Sequence, residues 1–145
     1  MSHRVAQYLV RTLLITGVFS LCSCQAELPT FTVDAPQVRA LIPGRDTTAG
    51  YFILTNNSTG TVTLAGAESE LARAIEMHES YTDGDFVRMR PLKNVALGPG
   101  ETITFAPGGK HLMIFGTREV PETFPITLIF SNGKRRPVTF SRLNF

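Results

Sequence analysis

From Phe31 onward the chain alternates β-branched or aromatic residues with polar ones, at the two-residue period of a strand with one face inward. Turn residues break this pattern at short intervals. Tyr51 to Thr55 stops at Asn56-Asn57-Ser58, and Thr61 to Leu64 follows Gly60. Thr102 to Phe105 stops at Pro107-Gly108-Gly109, and Ile126 to Phe130 turns at Asn132-Gly133 to return as Val138-Thr139-Phe140. Arg73 to His78, Phe86 to Met89 and His111 to Phe115 read as further strands. Only Glu68 to Ala74 offers a helical turn. Roughly seven to nine short strands at this spacing predict an all-β sandwich or barrel. With 145 residues, 43% of them hydrophobic, the chain fills one core and is too short for two. No internal repeat or linker divides it, so residues 31–145 form the expected single domain.

The first 23 residues read as an export address. His3, Arg4 and Arg11 precede an uncharged run, Thr12 to Leu21, about half the length of a membrane span. Leu21-Cys22-Ser23-Cys24 then resembles a bacterial lipobox, with Cys24 as the lipidated first residue of the mature chain. Residues 25–30 give a tether of roughly 20 Å. Two alternatives stay open: ordinary cleavage after Cys24-Gln25-Ala26, and a metal or redox pair of Cys22 with Cys24. Each of the cleavage routes puts the domain outside the cytoplasm, on the periplasmic or extracytoplasmic side. If the host is Gram-negative, Gln25 after Cys24 points to the outer membrane by the usual sorting rule.

Arg4 and Arg11 are the only charged residues before Cys24, so of the 14 basic residues twelve remain to face 12 acidic ones. A near-neutral domain lacks the basic stripe that binds nucleic acid. Lys134-Arg135-Arg136 is the one basic run, read as a solvated turn or as a contact for lipid phosphates or an acidic partner. Because Cys22 and Cys24 are the only cysteines, no disulfide framework holds the domain. No nucleophile elbow, His-Glu-x-x-His or phosphate loop is present, and the chain is not read as an enzyme.

Beyond the address the chain has two histidines, His78 and His111, and three methionines, Met77, Met89 and Met113. Asp83-Gly84 is a two-residue hairpin signal. Centred there, it makes His78 and Met89 direct cross-strand neighbours, with Met77 on the opposite, inward face. His111 and Met113 share a face of the next strand by the period of two, with Leu112 and Ile114 on the other. Two such pairs brought together form an N₂S₂ cluster. Thioether sulfur is a soft, neutral donor that favours Cu(I) over magnesium, calcium or zinc, and imidazole suits copper as well. A blue-copper centre needs a cysteine thiolate, which the domain lacks.

The spacing resembles the PCuAC family of bacterial periplasmic copper chaperones. Its signature is His, ten residues, Met, twenty-one residues, His, one residue, Met; His78, Met89, His111 and Met113 match it without a gap. Ala49-Gly50-Tyr51, Met77-His78-Glu79, Met89-Arg90-Pro91 and Pro107-Gly108-Gly109 resemble the family as well. The resemblance implies a cupredoxin-like or immunoglobulin-like β-fold and one Cu(I) per chain. It also implies delivery of copper to the CuA site of cytochrome c oxidase subunit II, alongside Sco-type thiol proteins. The chain departs from the family at Asp34-Ala35-Pro36, where many relatives carry an aromatic residue. It departs again at Lys110, a cation beside the second histidine, and in having no His- and Met-rich tail before Phe145. Glu76 and Glu79 flank the site as carboxylates that steer cations or are simply solvated. The competing reading is a metal-free exported β-sandwich lipoprotein that binds a protein partner.

Overall fold

The computed structural model describes residues 30–144. The signal segment, Cys22, Cys24 and the tether up to residue 29 lie outside the described residues. The described residues form ten strands: β1 (Phe31–Arg39), β2 (Thr47–Asn56), β3 (Val62–Glu68), β4 (Ala74–Asp83), β5 (Phe86–Leu92), β6 (Val95–Leu97), β7 (Thr102–Phe105), β8 (Lys110–Phe115), β9 (Thr123–Phe130) and β10 (Arg135–Leu143). The all-β class is as the alternation predicts. The helical turn suggested at Glu68 to Ala74 is absent; the chain makes a tight turn there, held by Ala72 N–H donating to the Ser69 carbonyl.

The strands run in the order β5-β4-β8-β7-β2-β1-β10-β9-β3-β6, with β4 also pairing β3 and β8 pairing β2. Ala67 opposite Ile75 therefore closes the sheet on itself, leaving β5 and β6 as its edges among the described residues. β1 and β10 pair in parallel, whereas the hairpins are antiparallel.

Inward-facing residues fill the closed sheet. Phe52, Leu54, Leu64, Leu97, Phe105, Leu112, Ile114, Phe124, Ile126, Leu128 and Phe140 are all essentially inaccessible to solvent. Phe52 stacks on Phe105 with centroids 4.4 Å apart and meets Phe140 edge-on at 5.9 Å. Each such ring contributes by burial and by the offset or edge-on geometry that aromatic pairs favour.

The register of β1 on β2 shifts between Asp34 and Gln37. Ala35 there has φ of 46°, and Pro36 has no N–H to donate. Asp34-Ala35-Pro36, where the chain departs from its resembling family, is thus a bulge that bends β1.

Asn56 was legible only as a turn residue, yet it is fully buried. Its amide nitrogen donates to the carbonyls of Gly60, Leu97 and Gly98 at 2.7, 3.0 and 2.9 Å. Its amide oxygen accepts from Ser58 N–H and Ser58 Oγ. One side chain thereby ties the loop after β2 to the loop after β6, as a buried polar group must if it is to be satisfied.

Candidate metal centre

The hairpin joining β4 to β5 decides where the histidine and methionine residues stand. Asp83 pairs with Phe86, so the two loop residues are Gly84 and Asp85 rather than Asp83 and Gly84. Gly84 has φ of 59° and no other residue of this loop is left-handed. That matches a turn with glycine at its first central position, whereas an Asp-Gly turn of the mirror-image type would force Asp83 to positive φ as well. The slip moves every pair by two positions. Ser80, not His78, faces Met89, and His78 faces Pro91. His78 and Met89 are diagonal neighbours on the same face, about 7–8 Å apart at their backbones and within reach of a long thioether.

The second pair arrives through β8. His78 lies directly opposite His111, and Glu76 directly opposite Met113. Met113 also faces Ala49 of β2. The imidazole centroids stand 6.0 Å apart. A metal held by a ring nitrogen at roughly 2 Å lies about 3 Å from the ring centre, so two rings at this spacing have room for one ion between them. Gly50 and Leu112 pair next to the site, and a Cβ on Gly50 would meet Leu112 Cβ at 3.4 Å.

Alternation places Leu112, Ile114 and the 4%-exposed Met77 on the core side, and the four matched residues on the other face. His111 is buried, Met113 is half-buried and Met89, on the edge strand β5, is 52% exposed. Met89, His111 and Met113 line a groove of about 240 Å³ with Ser80, Ala49 and Tyr51. His78 does not line the groove; its ring stands between those of His111 and Phe115. A hollow of about 400 Å³ elsewhere, between Glu70–Arg73 and Gly116–Glu119, is larger but offers no imidazole or sulfur.

Hydrogen bonds fix both imidazoles. The His111 Nδ1–H donates to the Gly109 carbonyl at 3.0 Å, leaving Nε2 with a free lone pair. The His78 Nε2–H donates to Glu76 Oε2 at 2.9 Å, leaving the lone pair on Nδ1. That His78 Nδ1 is buried and, among the described residues, has no hydrogen-bond partner. A buried acceptor without a donor costs free energy, and a cation that takes nitrogen ligands would satisfy it. Outer partners that set the tautomer in this way are characteristic of ligating histidines.

The flanking charges do not behave as a pair. Glu76 shares the face of His78 and touches it. Glu79 points to the opposite face, where Lys110 Nζ donates to its Oε1 at 2.9 Å and Arg90 to its Oε2 at 2.7 Å. These two cations hold the Glu79 carboxyl below its ordinary value. Lys110 is therefore not a cation beside the metal face, as its place before His111 suggests; it is paired away from it. Among the described residues no three His, Cys, Asp or Glu side chains group as a metal site, so a site on this face has to draw on thioether sulfur. Ala49 and Tyr51 escaped sequence reading as groove residues because β2 is remote in sequence from the histidines, and Ser80 because the turn as read set His78 opposite Met89 in its place. The Ala49-Gly50-Tyr51 string was the only signal for two of them.

The sequence model of a family described as "Putative lipoprotein LpqE-like" matches residues 31–141. A relative from Leifsonia xyli subsp. xyli, "Putative lipoprotein Lxx21020", is 30% identical over 131 residues, covering 86% of this chain and 79% of the relative. Among solved structures, the copper-bound PCuAC domain from PmoF2 superposes with a TM-score of 0.69 at 19% identity, over 81% of this chain and 95% of that one. The solution structure of CuI-DR1885 from Deinococcus radiodurans gives 0.58 at 29% identity, over 83% and 82%.

Proposed function

Since the chain belongs to the LpqE-like lipoprotein family and has the fold of PCuAC domains, we propose that it is an exported, lipid-anchored carrier of Cu(I). His78, Met89, His111 and Met113 are the proposed ligands, and one ion per chain is the cargo. The observation that carries this reading is the direct pairing of His78 with His111 on the outer face, with Met89 and Met113 on that same face. The copper named in the descriptions of PmoF2 and DR1885 supports it. So does the donor set, two neutral imidazoles and two thioethers, which adds no negative charge and suits a soft monovalent cation.

The proposed site is graded for release. The His111 and His78 rings are held by hydrogen bonds at Nδ1 and Nε2 respectively, which leaves His111 Nε2 and His78 Nδ1 for the ion, and Met113 is wedged between β2 and β4. Met89 is the exposed ligand on an edge strand, so it is the one an incoming donor displaces first. Cys24 is the proposed anchor. The acceptor is proposed, on family resemblance alone, to be the CuA site of cytochrome c oxidase subunit II, with Sco-type thiol proteins as co-workers. The role is carriage, with no bond made or broken in a substrate.

Anaerobic Cu(I) titration with X-ray absorption tests the ligand set. One equivalent in a mixed nitrogen and sulfur shell is expected, and Met89→Ala/Met113→Ala should lose the sulfur contribution. Full Cu(I) affinity in that double variant would sink the assignment and leave the metal-free interaction module. Metal transfer to an apo CuA domain tests the acceptor separately.

A further inference from the structure

The basic run Lys134-Arg135-Arg136 sits where the chain enters the domain. It follows the β9–β10 loop, whose shape is set by Gly133 at φ of 80° and by Lys134 N–H donating to Asn132 Oδ1. Together with Thr30 and Phe31 the three cations line a hollow of about 270 Å³. Phe31 forms an apolar floor, its ring 4.2 Å from that of Phe130. Lys134 Nζ reaches to 3.5 Å from Thr30 Oγ1. Arg135 is paired with Glu68, whereas among the described residues neither Lys134 nor Arg136 has a carboxylate partner. All three cations are exposed.

We propose that this hollow receives the phosphate of an anionic phospholipid headgroup and seats the domain on its membrane. The inference rests on the proposed anchor at Cys24. Thr30, on the rim of the hollow, lies six positions after that cysteine, a reach of roughly 20 Å. A bilayer that holds the anchor is thus always within reach of the three cations, which no diffusing anion or protein is. The seat also sets the orientation. Phe31, at the hollow, pairs with Asn56 at one end of β2, while Met113 pairs with Ala49. The proposed copper groove therefore stands about 23 Å further along β2, clear of the headgroups and open to a partner.

The test uses the full-length lipidated chain in vesicles, with a nitroxide on Ser131→Cys in the same loop. Flotation reports anchoring, and the relative access of oxygen and a water-soluble nickel chelate reports depth. In vesicles of phosphatidylcholine with phosphatidylglycerol, the label should read headgroup depth. It should return to bulk water in pure phosphatidylcholine and in 1 M salt. Lys134→Gln/Arg136→Gln should reduce the ratio of seated to unseated chain about 25-fold, at about fivefold for each cation. A chain that floats while its label stays in bulk water, or reads the same depth in neutral vesicles, overturns the seat and leaves the anchor standing. A chain that does not float overturns both. Loss of the headgroup reading on adding 10 mM inorganic phosphate at constant ionic strength would show a free-phosphate site and overturn the membrane assignment.

Discussion

Met77 and Met89 offer a matched test of the proposed site, because they are the same residue on opposite faces of one hairpin. Met89 is half exposed on the edge strand β5 and is not part of the core. Replacing it with leucine keeps its volume and removes only the sulfur, so folding stability should move by less than about 0.5 kcal/mol. Met77 is 4% exposed and packed in the core. Met77→Leu should cost up to about 1.5 kcal/mol and leave the metal face untouched. A ligand that binds only the folded state stabilises it by about 4 kcal/mol at a thousandfold excess over Kd. For a domain of this size that raises Tm by roughly 16 °C, at about 4 °C per kcal/mol. Outer-sphere partners of a metal contribute 10–100-fold in affinity, and a direct ligand contributes no less. With a hundredfold weaker Kd, the same Cu(I) concentration gives only about 1.4 kcal/mol, or roughly 6 °C. Anaerobic thermal melts of wild type, Met77→Leu and Met89→Leu, each with and without Cu(I), read these shifts. A full copper-induced rise in Met89→Leu, or its loss in Met77→Leu instead, refutes the ligand assignment.

Glu76→Ala should weaken Cu(I) binding about tenfold by freeing the tautomer of His78. Glu76→Gln should restore most of it, since its amide oxygen still accepts the Nε2–H; competition with a Cu(I) chelator measures both. Asn56→Ala should lower stability by about 2–4 kcal/mol, because three carbonyls and two Ser58 donors lose their partner; urea unfolding gives the value. Glu79 contributes to acid sensitivity. Its folded pKa lies below the ordinary value of 4.5 because Lys110 and Arg90 bond to it, so its stabilisation is complete above that pH and is lost as pH falls through the folded value. Glu79→Gln should flatten the fall of Tm below pH 4.5 relative to wild type; an unchanged pH profile contradicts the pairing.

Alternation from Phe31 onward set the all-β class by itself, since a half-buried strand has to put every second side chain inward. It also set which face each histidine and methionine takes. In a hairpin with a two-residue loop, an even-numbered position always shares a face with an odd-numbered partner. The slip from Asp83-Gly84 to Gly84-Asp85 therefore moved Met89 from His78 to Ser80 without moving it to the other face. The sequence could not place that turn, because the choice rests on which residue takes positive φ, and Asp-Gly permits either. The charges around the site were similarly misread from adjacency alone. Lys110 and His111 are neighbours in the chain but point to opposite faces.

What tertiary structure alone decided is the meeting of β4 with β8. His78 and His111 become cross-strand partners because the closed sheet lays β8 between β4 and β2. Strand order follows from how all inward faces pack into one core, and no local pattern encodes it. The tautomer-setting bonds are local, from His111 to Gly109 and from His78 to Glu76, each two residues away, whereas the burial of His78 Nδ1 exists only once β8 lies against β4. Thus the residues of the candidate site and their faces were written in a two-residue period, while their convergence came from long-range packing of the whole sheet.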